Sequence, residues 1–314
     1  MTDAPSESTA PSPVTVDEPE ATQPGHVFST FFTEQTAPAT PSEAGSHDNE
    51  YDSGFDDEQG STKSMTSSVF DYKILDVGTG TGTWALEFGE THPNVLVIGT
   101  DLSPIQPVDV PSNVHFHIDD FNEPWTFADN SLDYVHMRFL TGSVHDWKLT
   151  MKEAYRCLRP GGVLESSEPS HLIESDDGTV NERSAWYQWP RIFDQYGEQT
   201  GSTFSVVRDG IQRQAMEEAG FNDLQEFNCK IPIGAWPEGV KQRQLGQCAQ
   251  AVMETDALGF IMRPGTSVGW SLQQIEDYNA ALQTEMASKT THPWYWFKTV
   301  WGRKMSTSSV VAWG

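Results

Sequence analysis

Basic side chains are scarce: 19 Lys+Arg stand against 45 Asp+Glu, a formal charge of -26. A protein that grips duplex nucleic acid displaces condensed counterions with a basic stripe, and this sequence has no Lys/Arg cluster of that kind. An anionic membrane surface would repel the chain for the same reason. Cysteine is also nearly absent. Cys157, Cys229 and Cys248 are odd in number and far apart, which argues against a disulfide framework or a zinc knuckle. The expectation is buried thiols in a reducing compartment and no metal site. No apolar run approaches the roughly 20 residues needed to span a bilayer. The opening MTDAPSESTA lacks both the basic-then-apolar layout of a secretory signal and the Arg-rich composition of a transit peptide. These exclusions leave an intracellular protein of cytoplasm or nucleus, with neither nucleic acid nor membrane as partner.

What is present is unevenly spread. Residues 1–70 hold 13 acidic side chains and one lysine, and the apolar deficit lies in the same stretch. Rich in Pro, Ser, Thr, Asp and Glu, residues 1–68 cannot bury enough surface to offset their ordering entropy, so they read as a disordered acidic tail. His26-Val27-Phe28 and Phe31-Phe32 are its only apolar knots. Residues 305–314 read as a second disordered tail, which leaves 69–304 as the folded domain.

From Lys73 onward, short Val/Ile/Leu-rich runs alternate with helical patterns. Strands are expected at Lys73 to Val77, Val95 to Thr100, Val114 to Ile118, Leu132 to Met137 and Val163 to Ser167. Helices are expected at Thr81 to Thr91, Val144 to Leu158, Asn181 to Tyr196 and Val207 to Ala219. A strand from Asp223 to Ile231 follows, then helical patterns at Val240 to Leu258 and Ser271 to Ser288, then an aromatic strand from Trp294 to Trp301. Alternation of this sort predicts an α/β fold, a parallel sheet with helices on both faces joined by right-handed crossovers.

The most informative stretch is Ile74-Leu75-Asp76-Val77-Gly78-Thr79-Gly80-Thr81-Gly82-Thr83-Trp84, a buried strand running into a glycine-rich turn that opens a helix. Glycines there allow a tight turn and close approach of a ligand. A dinucleotide fingerprint wants a third glycine where Thr83 stands. Here the glycines fall at every second position instead, with Asp76 two residues before the first. The second strand ends in Gly99-Thr100-Asp101-Leu102-Ser103, and a carboxylate at that tip can accept both hydroxyls of a ribose. The third ends in Ile118-Asp119-Asp120-Phe121, where Asp120 could accept from the exocyclic amine of adenine while Phe121 packs on the ring.

Together with Tyr134-Val-His136-Met-Arg138, Leu140-Thr-Gly142-Ser143 and Leu158-Arg-Pro-Gly161-Gly162, these motifs resemble a Rossmann-like (class I) S-adenosylmethionine-dependent methyltransferase. More narrowly, they resemble the fungal group related to the velvet-complex regulator of secondary metabolism, over about Val69 to Lys304. The resemblance implies a doubly wound seven-stranded sheet whose last strand is antiparallel, preceded by a helical insertion at about 234–291. It implies S-adenosyl-L-methionine as cofactor. Asp76, Gly78, Thr79, Gly80 and Gly82 would line its methionine part, Asp101 and Leu102 its ribose and adenine edge, and Asp120 and Phe121 its adenine. Members of that group carry a closing segment between a Ser-Ser-aromatic-Asp-Tyr element and the first strand. Here Ser67-Ser68-Val69-Phe70-Asp71-Tyr72 joins Lys73 directly, so weak cofactor binding and poor catalysis are expected.

No residue declares itself as a general base. His136 is the catalytic candidate, because this fold often faces the methyl group after its fourth strand, and a neutral imidazole can take a proton. Arg138, His145, Glu165 and Glu168 are secondary candidates. Trp186, Trp189, Trp236, Trp294, Trp296 and Trp301 would wall an acceptor pocket or, as the blander use, pack the core. The leading function is methyl transfer to a small molecule or a protein side chain, linked to secondary-metabolism regulation. The alternative is a non-catalytic regulatory binding protein that works through protein partners on the same fold.

Overall fold

The computed structural model describes residues 70–306. The acidic tail of 1–68, its apolar knots, residues Ser67 to Val69 of the join and residues 307–314 of the closing tail lie outside the described residues.

Seven strands form one sheet in the order β3-β2-β1-β4-β5-β7-β6. They are β1 (Tyr72–Val77), β2 (Val95–Asp101), β3 (Val114–Ile118), β4 (Leu132–Arg138), β5 (Leu158–Pro169), β6 (Asn222–Pro232) and β7 (Trp294–Arg303). The first five pair in parallel, and β7 runs antiparallel to both β5 and β6. The expected sheet, with its antiparallel last strand, is therefore present. In β1, β2 and β4 the C-terminal halves are buried on both faces, the environment that selects uninterrupted apolar runs.

Helices α1 (Thr83–Thr91), α2 (Trp147–Cys157), α3 (Ala185–Thr200) and α4 (Ile211–Ala219) follow β1, β4 and β5. Asp146 caps α2 by accepting from Lys148 N at 2.9 Å and Leu149 N at 3.0 Å. The main core joins Leu75 and Val77 of β1, Val135 and Met137 of β4 and Leu164 of β5 to Met151, Ala154, Ala215 and Met216 of α2 and α4.

Two helices, α5 (Val240–Ser267) and α6 (Leu272–Ala287), stand between β6 and β7. With α3 they bury a second core: Trp186, Trp189, Ile192, Ile261, Ile275 and Leu282 meet there. Trp186 and Trp189 thus serve packing. The pattern expected to stop at Leu258 continues to Ser267, broken at Asp256 (φ -153°, ψ 45°). There the Asp256 carboxylate accepts from Gly259 N at 2.8 Å, recapping the chain so that a second helical stretch can start.

The α1–β2 corner depends on one side chain. Asn113, buried, donates through Nδ2 to the carbonyls of Gly89 (3.0 Å), His92 (3.2 Å) and Val95 (2.9 Å). Replacing it with alanine strands buried acceptors, and urea unfolding is expected to show a loss of about 2–3 kcal/mol. A loss below about 0.5 kcal/mol would show that the corner does not rely on it.

Candidate functional site

The site lies at the C-terminal ends of the parallel strands, where this sheet type binds ligands. Its centre is the turn between β1 and α1. Gly78 (φ 63°), Gly80 (φ 58°) and Gly82 (φ 80°) all take the left-handed conformation that side chains resist. Two of them are also sterically closed. A Cβ at Gly78 would lie 2.5 Å from Leu140 Cδ2, and one at Gly82 would lie 2.4 Å from Phe116 Cζ. At Gly80 a Cβ would meet nothing within 4 Å. The loop is therefore walled at both ends and open in the middle.

Thr79 anchors the turn. Its N–H donates to Thr100 O at 2.8 Å, and its hydroxyl donates to Asp76 Oδ2 at 2.6 Å. Asp101, half-buried at the tip of β2, accepts from Gly80 N through Oδ2 (2.8 Å) and from Ser103 N through Oδ1 (2.9 Å). Each carboxylate oxygen carries two acceptor sites, so both retain one for a ligand hydroxyl. Gln106 was not foreseen, yet its Nε2 donates to Gly80 O at 2.6 Å and ties the far side of the turn.

Asp76 and His136 are register partners on β1 and β4. His136 Nδ1 meets Asp76 Oδ1 at 2.7 Å, and both residues are 3% exposed. Trp84 of α1 stacks on the imidazole, with centroids 3.9 Å apart and planes 8° apart. So the acid before the glycines is held by an imidazole on one oxygen and a hydroxyl on the other. This geometry suits His136 to positioning Asp76 under the loop.

Phe121 approaches from the β3 side, its Cε1 3.5 Å from where a Gly78 Cβ would be. Leu102 is 59% exposed beside Asp101. Asp120 Oδ1 accepts from Asn122 N at 2.9 Å, forming the local turn after β3. The structure thus gathers Asp76, Gly78, Thr79, Gly80, Gly82, Asp101 and Phe121 at one turn, with Leu102 and Asp120 on the two loops that follow β2 and β3.

The secondary candidates divide. Arg138 and His145 are exposed. Glu165 is buried, accepts from the Tyr134 hydroxyl at 2.8 Å, and burial pushes its carboxyl above the usual carboxylate range. Glu168 is fully buried as well, so neither glutamate faces solvent. Trp294 is buried, whereas Trp236, Trp296 and Trp301 are half-buried.

A family model described as a methyltransferase domain matches residues 30–226, beginning inside the stretch read as an acidic tail. Methyltransferase pytC of Aspergillus terreus is 32% identical over 233 residues, covering 74% of this chain and 71% of its own. The secondary metabolism regulator laeA of Aspergillus fumigatus is 30% identical over 223 residues, covering 70% of this chain and 59% of its own. Among solved structures, Haemonchus contortus phosphoethanolamine N-methyltransferase 2 in complex with S-adenosyl-L-methionine aligns over 75% of this chain and 49% of its own, at 17% identity and TM-score 0.46. With the family model covering more than half its length, and with the glycine turn and antiparallel last strand in place, this chain belongs to the methyltransferase family that includes pytC and the fungal secondary-metabolism regulators.

Proposed function

We propose that the turn from Asp76 to Gly82, with Asp101, holds S-adenosyl-L-methionine for methyl transfer to an acceptor inside the cell. The observation that carries this reading is the pairing of an open Gly80 with a carboxylate that still has a free acceptor site on each oxygen. The left-handed glycines leave room where a Cβ would intrude. When bound, the cofactor supplies a methyl group already activated on a sulfonium.

The chain's own residues supply position. Asp101 would take the ribose hydroxyls while keeping Gly80 N and Ser103 N satisfied. Asp76, locked by Thr79 and His136, would present fixed negative charge near the sulfonium-bearing end. Phe121 and Leu102 would flank the adenine, with Asp120 at its amine. Positioning of this sort accounts for most of the catalysis such a reaction needs. Small-molecule and protein acceptors both remain compatible with this half of the site. The protein would work in the cytoplasm or nucleus, with regulatory protein partners.

Mass spectrometry of the native full chain tests the reading. S-adenosylmethionine or its demethylated product is expected to accompany the protein, or to be taken up on incubation. Uptake of a nicotinamide dinucleotide in its place would overturn it. Affinity is expected to be weak because of the direct join at Tyr72–Lys73, and a low-micromolar dissociation constant would contradict that part alone.

A second reading, a regulatory binding protein without catalysis, draws on the relatives named as regulators and on the burial of the first base candidate, His136.

A further inference from the structure

Glu168 carries a buried carboxylate with no counter-cation among the described residues, and the cofactor contacts above do not use it. It sits next to last in β5 at 0% exposure. Oε1 accepts from Leu140 N at 3.1 Å, and Oε2 accepts from Thr141 N at 2.8 Å and Thr141 Oγ1 at 2.8 Å. All three donors belong to the turn that leaves β4. That turn begins in an uncommon conformation, with Phe139 at φ 59°, which an aromatic side chain adopts only when its surroundings impose it. Phe139 N donates to Ser167 O at 3.1 Å, one residue before Glu168. Inward from the turn, Leu140 is 4% exposed and its side chain closes over Gly78. A continuous line of contact therefore runs from Glu168 through Leu140 to the first glycine of the loop.

We infer that Glu168 is a positioning residue whose carboxylate fixes the turn after β4 and, through Leu140, the shape of the glycine loop. The link to cofactor affinity rests on the function proposed above; the clamp itself does not. A glutamine would offer one oxygen and turn its NH2 toward an N–H, so the residue type is chosen for its two acceptors. Charge-assisted acceptors also bind about twice as strongly as neutral ones. Burial raises the Glu168 pKa to about 7 even though the three hydrogen bonds lower it.

No charged side chain among the described residues contributes to that shift. Lys298, its register partner on β7, is bonded to Glu226 at 3.4 Å. Arg208 and Asp209, before α4, pair at 2.9 Å, and His171, beyond β5, bonds Asp194 at 2.9 Å. The clamp thus weakens on protonation as pH falls through about 7.

Glu168→Gln approximates the protonated form in size and neutrality, and leaves one oxygen to accept. In the full chain, amide exchange at Leu140 and Thr141 is expected to run about tenfold faster in this variant at pH 8, after correction for intrinsic rates, with the melting transition still cooperative. S-adenosylmethionine affinity of the wild type is expected to rise between pH 6 and pH 8, while the variant stays at the low-pH value throughout. Unchanged exchange in a folded variant would overturn the clamp. Faster exchange with an unchanged affinity profile would overturn the link to the loop. If the wild type binds no cofactor, the proposed function fails, and the link is then decided by exchange at the Gly80 amide, which should also quicken. If the variant does not fold, the wild-type pH series decides: equal protection of Leu140 and Thr141 at pH 6 and pH 8 contradicts the inference.

Discussion

Asp101→Ala is expected to weaken S-adenosylmethionine binding about 100-fold, measured by titration calorimetry on the full chain. The carboxylate does two jobs at once. It satisfies Gly80 N at 2.8 Å and Ser103 N at 2.9 Å, and it retains an acceptor site on each oxygen for a ribose. Losing one hydrogen bond to a charged group costs about 1.5–3 kcal/mol, and about 2.7 kcal/mol is a factor of 100. Because Asp101 is only half-buried, stability should change much less than affinity. Asp101→Asn keeps one oxygen and should fall between, near tenfold. The same substitution separates the two functional readings in cells. A phenotype that survives Asp101→Ala unchanged would favour the non-catalytic binding protein.

The second large effect concerns the loop glycines, which do different work although they share a conformation. At Gly82 an added Cβ would strike the Phe116 ring, and φ is 80°. Left-handed strain of about 1–2 kcal/mol and overpacking of about 1–3 kcal/mol both apply. Gly82→Ala should therefore lose about 3 kcal/mol of stability in urea unfolding, a large share of the roughly 5–15 kcal/mol that a domain has. Adding Phe116→Leu should recover the steric part. At Gly80 the φ of 58° imposes strain, but the space is open. Gly80→Ala should cost about 1 kcal/mol of stability yet reduce cofactor affinity at least tenfold, because the methyl would occupy the ligand's space. Unchanged cofactor affinity in a folded Gly80→Ala variant would show that the open middle of the loop has no ligand role.

The sheet was legible because its strands obey a local rule. The run from Ile74 to Val77, the continuous apolar run from Val95 to Ile98 and the Leu132 to Met137 stretch each announce two-sided burial, and all three lie within observed strands. The left-handed turn at Gly78, Gly80 and Gly82 and the position of Asp101 at a strand tip were readable for a similar reason, since each depends on its own short segment.

What escaped the sequence depends on register between distant segments. Asp76 and His136 are sixty positions apart, and only the β1–β4 pairing makes them neighbours. The Trp84 stack that holds His136 follows from the pitch of α1 against that pair. Whether Glu168 faced the cleft or solvent depended on a strand register that the sequence does not fix; the β5 register turns it inward toward Leu140 and Thr141. The helical stretch past Leu258 depends on Asp256, whose non-helical backbone breaks the helix and whose carboxylate caps the restart.

The central claim is that an open glycine turn with Asp101 beside it is a berth for the methyl donor. Equilibrium dialysis of the full chain against S-adenosylhomocysteine, with oxidised nicotinamide dinucleotide as competitor, tests it most directly. Saturable one-to-one binding is expected, which the dinucleotide does not displace and which Asp101→Ala abolishes over the same concentration range. Binding unaffected by Asp101→Ala, or displaced by the dinucleotide, would contradict it.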